Sequence, residues 1–279
     1  MPFNDIPKPA SEASFHWAMR PPDGVALGRS YTDGSLLDGP SKLLGRCGWS
    51  FFAVSREGFV VAAAYGVTPP WITCCPGAES WAALQAANTS LPGSTFRIDC
   101  DPCVKAIHSG MARANRDSNP LARVHQLMAI AFDDTPNDSV VWMPSHTSAL
   151  DVGVRRIGNG EFLTALDRYA NGEADKWAKH GVEEHRVPSH IRQEVKEAHS
   201  LVWKTAKFIG AATWHANHSK GKPGRDTGAS RRLAVEATKA ARARHGEQHR
   251  ARSSGQLKSP AQGDIHQFRL ALFGNVRFA

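Results

Sequence analysis

The chain has 279 residues, room for one well-buried catalytic domain plus an extension. With 41% hydrophobic and 22% charged residues it is an ordinary globular composition, which excludes collagen-like and wholly disordered classes. The net charge of +8 is unevenly placed: Met1–His185 holds 16 Lys/Arg against 20 Asp/Glu, and Arg186–Ala279 holds 18 against 6.

Residues 1–26 are rich in Pro, Ser and Asp without steady periodicity and read as a loose lead-in. A strand then ends at SYTDGS, Ser30–Ser35. Cys47–Ser55 and Phe59–Val67 follow as two further strands, apolar, β-branched or aromatic in bias, with Arg56–Gly58 as a hairpin turn. Ala78–Ala87, rich in alanine and entered through Pro76–Gly77, favours helix. Thr95–Asp99 reads as a buried strand. Pro102 suits the first turn of a helix through Val104 and Ile107, and Leu121–Phe132 suits another. Ser139–Pro144 is a last strand, followed by a loop containing Gly and Arg and a helix from Glu161 to His180. Three strands, helix, strand, helices, strand and helix give an α/β domain, residues 27–185, with a mixed five-stranded sheet flanked by helices.

Beyond Pro188, Val195, Leu201, Val202, Phe208 and Ile209 recur at helical intervals, so residues 186–218 should form one amphipathic helix. Residues 219–279 are rich in Lys, Arg, Gly, Ser and Ala, and only Arg231–Gly246 hints at helix; the segment reads as a basic tail, mobile until bound. Arg231, Arg232, Arg242, Arg244, Arg250 and Arg252 suit contact with phosphates, which gives affinity without sequence reading. A basic extension on an acidic domain fits an anionic polymer held by one part and processed by the other, or else a solvated tail that aids solubility. No stretch approaches the ~18 apolar residues of a membrane span and no secretory leader pattern opens the chain, so a soluble, intracellular protein is expected.

Four acidic residues stand at element ends: Asp33 in YTDGS, Glu79 in AESWAAL, Asp99 in RIDCD and Asp175 in NGEADKWA. Taken singly each has a plainer reading: a turn Asp-Gly, a helix N-terminal carboxylate, a helix cap, and an i,i+4 partner for Lys179. Taken together, in this order, they make the chain resemble the type 1 ribonuclease H family over roughly Arg29–Gly181. Thr32, Gly34 and Ser35 flank Asp33, Asn171 precedes Asp175 by four positions, and His146 follows the last strand, each at a family position.

The resemblance implies a ribonuclease H-like fold and a metal-dependent endonuclease. It would cut the RNA strand of an RNA/DNA hybrid, leaving a 5′-phosphate and a 3′-hydroxyl. It implies Asp33, Glu79, Asp99 and Asp175 as ligands of two Mg2+ ions, with Mn2+ as a substitute. His146 would move a proton or release product, and Gly34, Ser35 and Asn171 would meet substrate. Such chemistry suits carboxylates, because hard divalent ions take oxygen ligands and a metal pair can clamp attacking and leaving oxygens. The helix pattern LTALDRYANGEADKWAKHG is similar to ribonuclease H domains of eukaryotic retrotransposon-type polyproteins, which makes a polyprotein fragment one expected context.

The chain departs from the family in three places. Ser148–Arg168 is an insertion. Asp101 competes with Asp99 as the ligand, although Asp99 directly follows the apolar strand. TCCPGA stands where bacterial members carry asparagines that read 2′-hydroxyls, leaving that task to Ser35 and backbone amides. A catalytically weak nucleic-acid-binding module and a relaxed nuclease for other duplexes are therefore the alternatives. Cys100 and Cys103 have C-x-x-C spacing, but Cys74 and Cys75 are adjacent and no second spaced pair exists, so reduced thiols are expected.

Overall fold

A computed structural model describes residues 5–218, 235–244 and 247. Six strands form one sheet: β1 (His16–Met19), β2 (Arg29–Leu37), β3 (Arg46–Val54), β4 (Val60–Val67), β5 (Thr95–Ile98) and β6 (Val140–Trp142). The helices are α1 (Cys75–Asn88), α2 (Asp101–Ala114), α3 (Ala122–Ala131), α4 (Ala165–Glu183) and α5 (Ser189–His218). The order across the sheet is β1-β4-β3-β2-β5-β6. β1 to β4 pair antiparallel through β3 to β2, while β2, β5 and β6 run parallel. This mixed sheet with flanking helices is the α/β arrangement expected, with six strands in place of five.

The sixth strand lies in the stretch read as a loose lead-in, which is corrected here. β1 is a four-residue edge strand, too short to show an alternating pattern, and tertiary contacts hold it. His16 pairs with Tyr65. The Val67 amide donates to the Ser14 hydroxyl at 2.9 Å, and Phe15 and Trp17 lie against Trp49 and Phe51.

β3 is buried along its whole length because both faces of the sheet are covered. Trp49, Phe51 and Ala53 enter the layer shared with α1 and α2, and Phe52 and Val54 enter the layer beneath α4. α1 turns Ala78, Ala82, Ala83 and Ala86 inward, all fully buried, so its backbone lies close to β2 and β3. On the opposite face α4 does the same through small residues. A Cβ on Gly48 would meet the Ala178 carbonyl oxygen at 2.6 Å, and the Ser50 hydroxyl donates to the Ala174 carbonyl at 2.5 Å.

α4 begins at Ala165, four residues later than Glu161. A reciprocal cap sets the start: the Thr164 hydroxyl accepts the Asp167 amide at 3.0 Å, and the Asp167 carboxylate accepts the Thr164 amide at 2.9 Å. Tyr31 on β2 donates to the same carboxylate at 2.7 Å, tying the helix start to the sheet. The preceding insertion is folded. Arg156 bridges Phe162, Ile157 and Leu163 are buried with Tyr31 and Met143, and the Gly158 amide donates to the Trp142 carbonyl at 2.7 Å, covering the edge beside β6.

The chain divides into two units, Met1–Thr205 and Ala206–Ala279. In the first, α5 seats Ile191 and Val195 against Leu44 and Val187. In the second, the described residues are helical at 206–218 and 235–244. Trp203 and Trp214 are exposed. Of the basic tail residues, Arg242 and Arg244 lie in the second helix, while Arg231, Arg232, Arg250 and Arg252 fall outside the described residues. No described helix is long and apolar enough to cross a membrane.

Candidate metal centre

Asp33 sits in mid-strand on β2, paired with Ser50 of β3. The next residue must be glycine: a Cβ on Gly34 would lie 2.1 Å from the Glu79 nitrogen and 2.4 Å from the Ala78 carbonyl carbon. Both are backbone atoms and cannot step aside. The missing side chain lets α1 lie on β2, so that Glu79 lies beside Asp33. Cys75 reinforces the contact, its thiol donating to the Gly34 carbonyl at 3.1 Å. Gly34, expected to meet substrate, thus has a packing role that sequence alone did not disclose.

Asp99 leaves the C-terminal end of β5, where parallel strands of an α/β sheet commonly present functional groups. The Trp142 indole donates to its backbone carbonyl at 3.2 Å, and the Asn171 amide donates to its carboxylate at 3.2 Å. Asp101 points elsewhere, pairing with Lys105 at 2.6 Å on the solvent side of α2. Ligand atoms of Asp33, Glu79 and Asp99 all lie within 4.8 Å of one another, the sole such group of potential metal ligands among the described residues.

A pocket of about 730 Å³ contains this cluster and also Gly34, Ser35, His146, Asn171 and Asp175, so the expected metal, proton-transfer and substrate residues line one cavity. α4 supplies Asn171 and Asp175 from successive turns of one face. Asp175 pairs with Lys179 at 2.8 Å, the i,i+4 contact that its spacing allowed. His146 occupies the exposed loop after β6 with a left-handed backbone, φ 50°. Arg168 and Lys179 line the pocket as well. Arg168 was read only as the insertion's last residue; its place three positions before Asn171 and seven before Asp175 was the available signal.

The electrostatics are those of crowded carboxylates whose charge one nearby ammonium, Lys179, offsets only in part. Burial, then Asp99 and Asp175, push the Asp33 carboxyl up to about 8. Burial, then Asp33 and Asp99, hold Glu79 well above the usual carboxylate range. Burial also raises Asp99, against the opposing pull of the Asn171 amide and His146. Glu79 Oε2 is buried without a hydrogen-bond partner, and so is Asn171 Oδ1. An orphaned carboxylate oxygen directed among other carboxylates fits a hard divalent cation. The five cysteines are free; burial raises the Cys75 and Cys100 thiols to about 12, leaving them weak soft-metal ligands.

No family model matches the chain, and no curated protein matches it. Solved structures do. The protease-reverse transcriptase of prototype foamy virus is 16% identical with a TM-score of 0.40, over 56% of this chain and 20% of that one. RNase H1 from the halophilic archaeon Halobacterium salinarum is 14% identical with a TM-score of 0.36, over 57% of this chain and 99% of that one. The RNase H domain of the foamy virus, solved in solution, is 16% identical with a TM-score of 0.37, over 58% and 97%. The chain therefore spans about a fifth of the viral protein and nearly all of the two smaller ones.

Proposed function

We propose that this chain is a divalent-metal-dependent endonuclease that hydrolyses the RNA strand of RNA/DNA hybrids, leaving a 5′-phosphate and a 3′-hydroxyl. One observation carries the reading. Carboxylates from β2, α1, the end of β5 and α4 converge on one cavity, three of them tightly clustered and one with an unpartnered oxygen. Asp33, Glu79, Asp99 and Asp175 would hold two Mg2+ ions, with Mn2+ as a substitute. When bound, such a pair supplies the charge that stabilises attacking and leaving oxygens in phosphodiester hydrolysis.

The chain's own residues do the rest. Asn171 and Trp142 fix Asp99 by its carboxylate and its carbonyl. His146, exposed at the cavity mouth, passes a proton through an imidazole nitrogen to the departing oxygen. Ser35 and the neighbouring amides face the strand that carries the 2′-hydroxyl. The basic extension adds sequence-independent affinity for the same polymer.

The test is cleavage of a labelled hybrid with Mg2+ by the intact chain and by Asp33→Asn, beside double-stranded RNA and double-stranded DNA. Cutting of the hybrid alone, lost in the variant, supports the reading. Equal cutting of the other duplexes replaces hybrid specificity with a relaxed nuclease. Salt-dependent binding without cutting leaves a binding module.

A further inference from the structure

We propose that Lys179 is the counter-cation of the metal-free centre: it holds Asp175 apart from the other three carboxylates and yields it when divalent ions bind. The proposal rests on the metal-nuclease reading above and deepens it.

Asp33, Glu79 and Asp99 approach one another closely enough to share an ion, and Asp175, although in the same cavity, is not of that group. What Asp175 has instead is the Lys179 ammonium at 2.8 Å, one turn along α4. Lys179 also lines the cavity, and its charge reaches Asp33. It is thus a cation beside the carboxylate cluster, placed where an incoming ion would draw on the same oxygens.

The pair is built to be given up. The Lys179 side chain is 50% exposed and that of Asp175 38%, so water screens their attraction and solvates the ammonium as it leaves. A doubly charged ion attracts the Asp175 carboxylate more strongly than a hydrated ammonium does, and it repels Lys179. Loading would then exchange one partner of Asp175 for another. The ammonium is released at the rim of the same cavity, facing the anionic strand of a bound nucleic acid.

The reach of Lys179 makes this measurable without catalysis. Binding of Mn2+ and of Ca2+ to the full chain, free of nucleic acid, is followed by calorimetry for the wild type, Lys179→Gln, Lys179→Arg, Asp175→Asn and the double variant Lys179→Gln/Asp175→Asn. Lys179→Gln should bind about two- to fivefold more tightly, the range set by one exposed ion pair. Lys179→Arg, which keeps the charge, should match the wild type. In the Asp175→Asn background the gain from Lys179→Gln should shrink, because the competed oxygens are gone. Unchanged or weaker binding by Lys179→Gln, while the wild type binds, overturns this proposal alone. A wild-type chain that binds neither ion overturns the metal-nuclease reading as well.

Discussion

Replacing Asp33 with Asn should make the metal-free protein more stable while abolishing cleavage. Asp33 is only 7% exposed, and its carboxyl rises from an ordinary value of 3.8 to about 8 through burial and the neighbouring Asp99 and Asp175. The folded chain therefore holds a proton that the unfolded chain releases. The stability from this group is fully present below about pH 4 and is lost as the pH climbs to about 8, at up to ~1.4 kcal/mol per unit. At pH 7 about three units of that window have been crossed, a cost of about 4 kcal/mol, which Asp33 and Glu79 share because they titrate together. Asn carries no proton to lose, so the variant escapes the Asp33 share. At roughly 2–4 °C per kcal/mol for a chain of this size, its midpoint at pH 7 in chelator should rise by about 5–10 °C, and by much less at pH 5. Thermal unfolding followed by circular dichroism at several pH values, with chelator and with saturating Mg2+, reads all of this. Metal should flatten the wild-type slope by neutralising the carboxylates. A wild-type midpoint that stays level or rises from pH 5 to 8 in chelator would refute the reasoning, as would a variant no more stable than its parent.

Gly34→Ala places a methyl against the Glu79 backbone, so it should cost about 1–3 kcal/mol in urea unfolding and weaken Mn2+ binding by displacing α1; wild-type values for both would remove the close approach as a cause. Asn171→Ala frees the Asp99 carboxylate and should lower cleavage about 10- to 100-fold with little change in unfolding midpoint, measured by single-turnover kinetics. Arg168→Ala should weaken hybrid binding and reduce the salt-dependence slope by about one, while metal affinity measured without nucleic acid stays unchanged. Thr164→Ala removes the cap of α4 and should cost about 1 kcal/mol; a neutral result would mean that the Tyr31 and Arg29 contacts to Asp167 hold the helix start without it.

Much of this was legible from patterns that follow local rules. β3 and β4 announced themselves by apolar and β-branched runs, α1 by its alanines, and the four carboxylates by their motifs and order, although Asp33 and Asp175 lie inside β2 and α4 and not at element ends as expected. What escaped depended on long-range contact. β1 has too few residues for alternation and is held by Ala63, Ala64 and Tyr65 of β4 and by Phe51, with Val67 and Trp49 bonded to Ser14 just before it, all distant in sequence. Asp99 read ahead of Asp101 because it directly follows the apolar strand, yet both follow the same strand and spacing left Asp101 in competition; in the fold Asp99 joins the carboxylate cluster and Asp101 pairs with Lys105. The role of Gly34 was hidden for the same reason, because its neighbour Glu79 lies 45 positions away. The apolar face of α5 read as a packing face, yet only Ile191 and Val195 are buried in the first unit.

The cap at Thr164 has a consequence for how this chain could be altered. Because Thr164 and Asp167 restart the helix, and Tyr31 anchors that restart to β2, the rotational phase of Asn171 and Asp175 is set locally and owes nothing to the path of the residues before it. The insertion can then be shortened, lengthened or exchanged between Ser148 and Leu163 without turning the carboxylate face of α4 away from the cavity. The condition is that some apolar side chain still occupies the place of Ile157 beside Tyr31 and Met143. That makes the segment a natural port for grafting a recognition loop next to an unaltered centre.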